Sequence, residues 1–173
     1  MVYIQVVTDA ETITASRLAR EIWAEHYTAI IGADQVDYML DKFQSENAIV
    51  DQIQNKGYIY FLIEESKQAQ NQSGSGQAIG YFAIFQEDDA LFLSKLYIRK
   101  AMRGKGIARE TIDFIKSLAV EKKLGKITLT VNKNNIGPIA AYEKLGFVNQ
   151  GPIVQDIGGG FIMDDYKMEL RLL

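Results

Sequence analysis

The sequence has no cysteine and one histidine, His26. The first absence removes disulfides, thiolate metal sites and a thiol nucleophile together. The second leaves no basis for a His-rich metal centre or a Ser-His-Asp triad, and no metal is expected. No apolar run approaches the ~18 residues that a membrane-spanning helix needs. The opening VYIQVVTDAET lacks a basic leader, so it does not read as a signal peptide, and a cytoplasmic protein is expected. Neither sign of charge dominates: 19 Lys and Arg stand against 22 Asp and Glu, a formal net charge of −3. That balance argues against a nucleic-acid partner, whose recognition needs a basic face, and is compatible with a cationic substrate.

What is present suits a globular chain with a real core: 47% of residues are hydrophobic and 24% charged. A single domain over 1–173 is expected. Residues 2–7 read as a strand, and Thr8 and Asp9 cap a helix over about 11–30 with Leu18, Ile22, His26 and Ile30 on one face. Helices follow over 33–43 and from Ser45 to Gly57. YIYFLIEE (58–65), AIGYFAIFQ (78–86) and ALFLSKLYI (90–98) read as consecutive strands of an antiparallel meander, the first two joined by the polar loop 66–77. An amphipathic helix is predicted over 105–123, a strand over 126–131, and a helix entered at Asn135 with Pro138 in its first turn and Gly146 at its end. Two final strands flank Gly158–Gly160. Strand runs mixed with βαβ crossovers define an α+β fold with a mixed sheet.

The segment MRGKGIARE (102–110) joins a strand to a helix through two glycines and three cations, Arg103, Lys105 and Arg109. The first amides of a helix have no internal acceptor, and with the macrodipole they attract an anion. Glycine lets that anion approach the backbone without a Cβ in the way. Cations here oppose the usual preference for acids in a first helical turn, which marks the segment as a phosphate or pyrophosphate site. The competing reading is a tight surface turn. The segment is neither a Walker A loop, for want of Ser or Thr after Gly-Lys, nor the GxGxxG dinucleotide fingerprint, for want of its third glycine.

Arg103-Gly104-Lys105-Gly106-Ile107-Ala108 resembles the Arg/Gln-x-x-Gly-x-Gly/Ala motif of the GCN5-related N-acetyltransferase (GNAT) superfamily. LSKLYI resembles the strand before that motif, and TVNKNNIGPIAAYEKLGF the strand, helix and Asn…Ala…Tyr…Gly-Phe signature after it. The resemblance implies a GNAT-like acyl-CoA N-acyltransferase fold: a central mixed, mostly antiparallel sheet flanked by helices, with two splayed parallel strands, one ending at Ile98 and one beginning near Ile127. It implies acetyl-CoA as co-substrate, with the pyrophosphate on the amides of Arg103, Gly104, Lys105, Gly106, Ile107 and Ala108. Leu96, Tyr97 and Ile98 would run along the pantetheine arm, and an amide near Ile98 would polarise the thioester carbonyl. Asn135 would contact the cofactor or cap its helix, and Asn132 would contact the cofactor or shape a turn.

Tyr142 matches the family's tyrosine near the thioester sulfur, where a phenol of ordinary pKa of about 10 is a suitable proton donor to a departing thiolate. Read without the resemblance, it is a packing residue of IAAYEKLGF. The acceptor must be a neutral amine, and deprotonating a lysine-like amine at neutral pH costs about 4.6 kcal/mol. Glu25, Glu64, Asp88 and Asp89 read as surface charges, and His26 beside Trp23 and Tyr27 as a packed, hydrogen-bonded histidine. Because the first helices wall the acceptor pocket in this fold, Trp23, Tyr27, Tyr38 and Met39 are its candidate lining, with core packing as the alternative. Asp164, Asp165 and Tyr166 would give the last hairpin an acidic rim for a polyamine. The resemblance points to bacterial small-amine or diamine acetyltransferases, with direct transfer in a ternary complex, and homodimers are common among such enzymes. A protein or peptide amine, an aminoglycoside, a non-catalytic CoA-binding module and a domain for ATP or NAD stand as alternatives.

Overall fold

The computed structural model describes residues 1–66 and 77–172; the loop read over 66–77 falls almost wholly outside the described residues. The elements run β1 (Val2–Gln5), α1 (Asp9–His26), α2 (Thr28–Ile31), α3 (Ala33–Gln44), α4 (Glu46–Asn55), β2 (Ile59–Glu64), β3 (Ala78–Glu87), β4 (Ala90–Ile98), α5 (Ile107–Glu121), β5 (Lys126–Asn132), α6 (Ile136–Lys144), β6 (Val148–Gly158) and β7 (Phe161–Arg171). The strands form one seven-stranded mixed sheet in the order β1-β2-β3-β4-β5-β7-β6. Its parallel pair is β4 and β5, in register from Ala90 with Lys126 to Phe92 with Thr128. The chain divides into two compact units: Met1–Ile84 with Lys95–Thr111, and Phe85–Ser94 with Ile112–Leu173.

In the first unit, α1 opens on a capping box. The Thr8 hydroxyl accepts from the Glu11 amide at 3.3 Å, and the Glu11 carboxylate accepts from the amides of Val7 and Thr8 at 2.7 and 2.8 Å. Those bonds, Val7's first, hold the Glu11 carboxyl below its usual pKa. Ala15, Leu18, Ala19, Ile22 and Trp23 form the buried stripe of α1. The single helix predicted over about 11–30 is two helices. α1 stops at His26, and α2 ends at Gly32, where φ is +84°. The Thr28 hydroxyl donates to the Ala24 carbonyl at 2.9 Å across the break. Ile30 and His26 are half-buried there.

β2 and β3 pair antiparallel with Phe61 opposite Phe82, their rings stacked at 4.9 Å. Gly80 is required by close approach: a Cβ there would collide with the Tyr97 carbonyl and come within 3.2 Å of the Ile98 Cα. The Arg99 amide donates to the Ile79 carbonyl at 2.9 Å, tying the end of β4 to β3.

In the second unit, Ile112, Ile115 and Ala119 are the fully buried residues of α5. α6 ends at Leu145, with Gly146 at φ +97° just beyond. β7 pairs with β5 on one side and β6 on the other, antiparallel in both cases. Gly159 and Gly160, at φ +65° and +81°, turn the last hairpin in two residues, the backbone that a type I′ turn demands. Among the described residues, no helix is long and apolar enough to cross a membrane.

Candidate active site

The loop between β4 and α5 is held from several directions. The Met102 and Arg103 amides donate to the Arg99 and Lys100 carbonyls at 2.9 and 3.1 Å. Gly104 and Gly106 stand at φ +77° and +81°, with nothing within 4 Å of where a Cβ would be. The first helical bond of α5 runs from the Glu110 amide to the Gly106 carbonyl at 3.1 Å. The amides of Ile107, Ala108 and Arg109 therefore precede the i→i−4 ladder, and residues 103–106 beside them are exposed.

The three cations divide their work. Arg103 turns back into its own unit: Nε donates to the Ile98 carbonyl at 3.0 Å, and a terminal nitrogen lies 3.2 Å from His26 Nδ1. A guanidinium only donates, so Nδ1 is the acceptor in that contact. An Arg99 terminal nitrogen donates to the Glu21 carboxylate at 2.9 Å, an ion pair in which Nε lies 2.9 Å from the other oxygen without hydrogen-bond geometry. Helix α1 thus braces both ends of the turn that precedes Gly104. Lys105 and Arg109 remain exposed. His26, half-buried with its ring edge-on to Tyr27 at 4.8 Å, is the hydrogen-bonded, packed residue the sequence suggested.

The aromatic candidates are partly brought together. Trp23 and Tyr27 have ring centroids 4.5 Å apart, and Tyr97 meets them edge-on at 5.5 and 6.0 Å. Trp23 is 3% exposed and belongs to the core, as does Met39. Tyr27 and Tyr97 are half-buried. Tyr38 sits on α3, where its hydroxyl receives the Lys42 ammonium at 2.9 Å. Leu96 is half-buried and Ile98 buried.

Lys95 was not singled out from the sequence. It is buried between Leu93 and Tyr97 on the inward side of β4, and among the described residues no carboxylate is bonded to it. Its Nζ donates to Gln52 Oε1 at 2.8 Å and lies 5.0 and 5.1 Å from the ring centres of Tyr58 and Tyr60. The Tyr60 hydroxyl donates to the same oxygen at 2.6 Å, and Gln52 Nε2 donates to the Phe43 carbonyl at 3.1 Å. Burial, with a smaller push from Lys56, lowers the amine from 10.5 to about 7. Burial also raises the Tyr60 and Tyr81 phenols, and Tyr81 donates to the buried Gln44 at 3.0 Å. The period-2 alternation Leu91, Leu93, Lys95, Tyr97 was the available signal.

In the second unit, Asn132 builds the turn into α6: its Oδ1 accepts from the Asn134 amide at 2.9 Å and its carbonyl from the Asn135 amide at 2.9 Å. Asn135 occupies the N-cap position and is 3% exposed, but its side chain makes no capping bond. Tyr142 is half-buried on α6, with its ring edge-on to Phe147 at 5.4 Å. The supposed acidic rim is divided by strand alternation. Asp164 pairs with Lys133, whose Nζ also lies 5.8 Å from the Tyr166 ring centre, whereas Asp165 is 4% exposed. Among the described residues, no group of three or more His, Cys, Asp or Glu is placed to hold a metal.

A family model described as "Acetyltransferase (GNAT) family" matches residues 18–147. The chain belongs to the GNAT family of acetyltransferases and is an acyltransferase. No curated protein sequence matches it. Solved structures share its fold at low identity. The PaiA N-acetyltransferase of Thermoplasma acidophilum, in complex with coenzyme A, is 17% identical, with TM-score 0.69 over 99% of this chain and 100% of its own. A chimera of Vibrio cholerae spermidine N-acetyltransferase SpeG with hSSAT is 18% identical, with TM-score 0.65 over 99% and 96%. The IAA acetyltransferase of Bacillus cereus is 15% identical, with TM-score 0.57 over 74% and 85%.

Proposed function

We propose that the protein is an acetyl-CoA-dependent N-acetyltransferase that acts on a small primary amine, such as a polyamine, by direct attack in a ternary complex. The observation that carries this reading is the exposed turn of Gly104 and Gly106, both left-handed and uncrowded, at the first free amides of α5. A diphosphate would find main-chain donors from Gly104 to Ala108, the Arg103 amide being taken by the Lys100 carbonyl, with charge from Lys105 and Arg109 and the loop pre-set by the bonds from Arg99 and Arg103. The CoA-bound fold relative and the spermidine-acetylating one are consistent with this chemistry.

In this reading the main chain of Leu96, Tyr97 and Ile98 aligns the pantetheine arm, and Asn132 and Asn135 lie along the cofactor. The neutral amine nitrogen attacks the thioester carbon, the carbon–sulfur bond breaks, the Tyr142 phenol protonates the departing thiolate, and the proton shed by the nitrogen restores the phenol by way of solvent. With no cysteine in the chain, a thiol acyl-enzyme has no residue to form on.

The test is thiol release from acetyl-CoA across polyamines, aminoglycosides, amino acids and peptides, with calorimetry against acetyl-CoA, ATP and NAD. Tyr142→Phe should lower kcat by about 10²-fold, the usual contribution of a general acid, and leave acetyl-CoA affinity unchanged. Unaltered turnover in that variant removes Tyr142 from the mechanism. Binding of ATP or NAD in place of acetyl-CoA overturns the assignment.

A further inference from the structure

The loop that carries Gly104 and Gly106 has two properties that pull apart. Left-handed φ values of +77° and +81° come easily to glycine, and the missing side chains let a ligand reach the backbone. The same glycines give the chain between Arg103 and Ile107 the most conformational freedom to lose. An anion that orders it therefore binds more weakly unless the ends are already fixed. Helix α5 fixes one end, its ladder starting with the Glu110 amide on the Gly106 carbonyl at 3.1 Å. The other end is Arg103.

Arg103 is exposed, yet its guanidinium is engaged twice. Nε donates to the Ile98 carbonyl at 3.0 Å, closing the turn 98–103 on itself, and a terminal nitrogen lies 3.2 Å from His26 Nδ1. A planar guanidinium held by two acceptors has a fixed plane and direction. The first acceptor belongs to the turn and moves with it. The second belongs to α1, whose Ala19, Ile22 and Trp23 are core residues, so His26 ties the turn to the core. His26 is itself set in place. It is half-buried at the last position of α1 with its ring edge-on to Tyr27 at 4.8 Å, and Tyr27 lies 4.5 Å from the buried Trp23. Arg99 and Glu21 form a second tie from α1 to the same turn.

An imidazole accepts a hydrogen bond only while it is neutral; the imidazolium has two donors and no acceptor. A proton on His26 therefore removes the acceptor and sets two cations 3.2 Å apart. The other charged groups that α1 brings to this corner are Glu21, held by Arg99, and Glu25, 3.8 Å from the Lys100 ammonium. Of the helices packed against α1, α2 carries no charged residue. α3 carries the exposed Asp34, Asp37 and Asp41, with Lys42 bonded to the Tyr38 hydroxyl. α4 carries the exposed Glu46, and Asp51 paired with Lys56.

We propose that His26 is a positioning residue of the acetyl-CoA site. As a neutral acceptor it holds Arg103, and through Arg103 the glycine loop, in the shape that receives the diphosphate. On protonation it lets go, and cofactor affinity falls on the acid side. This role presupposes the acetyl-CoA reading of the loop. α5 and the Arg99–Glu21 pair still hold the loop without His26, so the effect is several-fold and not a loss of binding.

Two substitutions separate the acceptor from the ring. His26→Phe keeps an aromatic ring against Tyr27 and has no acceptor. His26→Asn gives up the ring and keeps an acceptor oxygen at the place of Nδ1. Calorimetry measures acetyl-CoA affinity for both and for wild type from about pH 8 to about pH 5.5, the range in which imidazoles change charge. Circular dichroism checks folding. At the alkaline end His26→Phe should bind about five-fold more weakly than wild type, and His26→Asn within about two-fold of it. In an Arg103→Ala background His26→Phe should add nothing, because the bond it removes is already gone. The 3′-phosphate of coenzyme A itself titrates near pH ~6, as phosphate monoesters do, so the pH effect is read as the ratio of wild-type affinity to that of His26→Asn. That ratio should fall about five-fold on acidification, which a merely structural residue would not produce. It needs only His26→Asn, so it decides the matter even if His26→Phe does not fold. His26→Phe with wild-type affinity, His26→Asn weakened as much as His26→Phe, or a ratio that does not move with pH overturns the role of His26 and leaves the assignment of the loop standing. A wild type that binds no acetyl-CoA overturns that assignment and this role with it.

Discussion

Replacing Lys95 with methionine should stabilise the protein, and the gain should depend on pH in a defined way. The amine falls from 10.5 in an unfolded chain to about 7 in the fold because burial opposes its charge. The unfolded state therefore binds more protons between those values, and wild-type stability rises with pH across that window and is flat below it. At about 1.4 kcal/mol per unit, the full cost below about pH 7 is roughly 5 kcal/mol, and by about pH 9 it has shrunk to roughly 2. Two tyrosine rings about 5 Å from Nζ return part of the cost while the amine is charged. Methionine keeps the length of the side chain and lacks the charge, and Gln52 Oε1 keeps the Tyr60 hydroxyl. The net gain near pH 6 to 7 should be about 3 kcal/mol, fading toward alkaline pH. Urea unfolding reads it through Trp23, the sole tryptophan and a buried one, since the difference between the two proteins cancels every other titration. A difference that does not change from neutral to alkaline pH, or a methionine variant less stable at neutral pH, would refute the account of Lys95 as a buried, carboxylate-free amine.

Two other substitutions probe the frame around the loop. Gly80→Ala should cost several kcal/mol, because its Cβ meets the main-chain oxygen of Tyr97 and a strand cannot yield as a side chain can; a melting temperature equal to wild type would contradict the close approach. Gly106→Ala meets no atom but holds φ +81°, so it should lose about 1 kcal/mol of stability and weaken acetyl-CoA binding, as calorimetry would show; unchanged affinity would mean that the backbone there does not approach the ligand.

Local chemistry made much of this chain readable in advance. The span ALFLSKLYI is β4 from end to end, because alternation and β-branched or aromatic content are properties of neighbours in sequence. Thr8 with Glu11, Ser45 with Ala48, and the glycines of the last hairpin act within a few residues of themselves, so their roles could be read from the order of residues. The loop motif belongs to the same class, since two glycines and a helix start are a local arrangement. The break between α1 and α2 was less legible, because no glycine or proline stands at Tyr27 to mark it.

Burial and partnership followed other rules. Asp164 and Asp165 are consecutive and chemically identical, yet one is paired with Lys133 and the other buried without a cation. Only the register of β7 against β5 separates them, and register is set by pairing between segments more than thirty residues apart. Lys95 looked like one more polar residue in a strand until Gln52, forty-three positions earlier, was seen to hold it in the core. The sequence by itself determined most of the elements, the glycine loop and the family, because each is written in short-range pattern. Tertiary structure alone decided which ionisable groups lose their water, because desolvation depends on what the rest of the chain brings alongside.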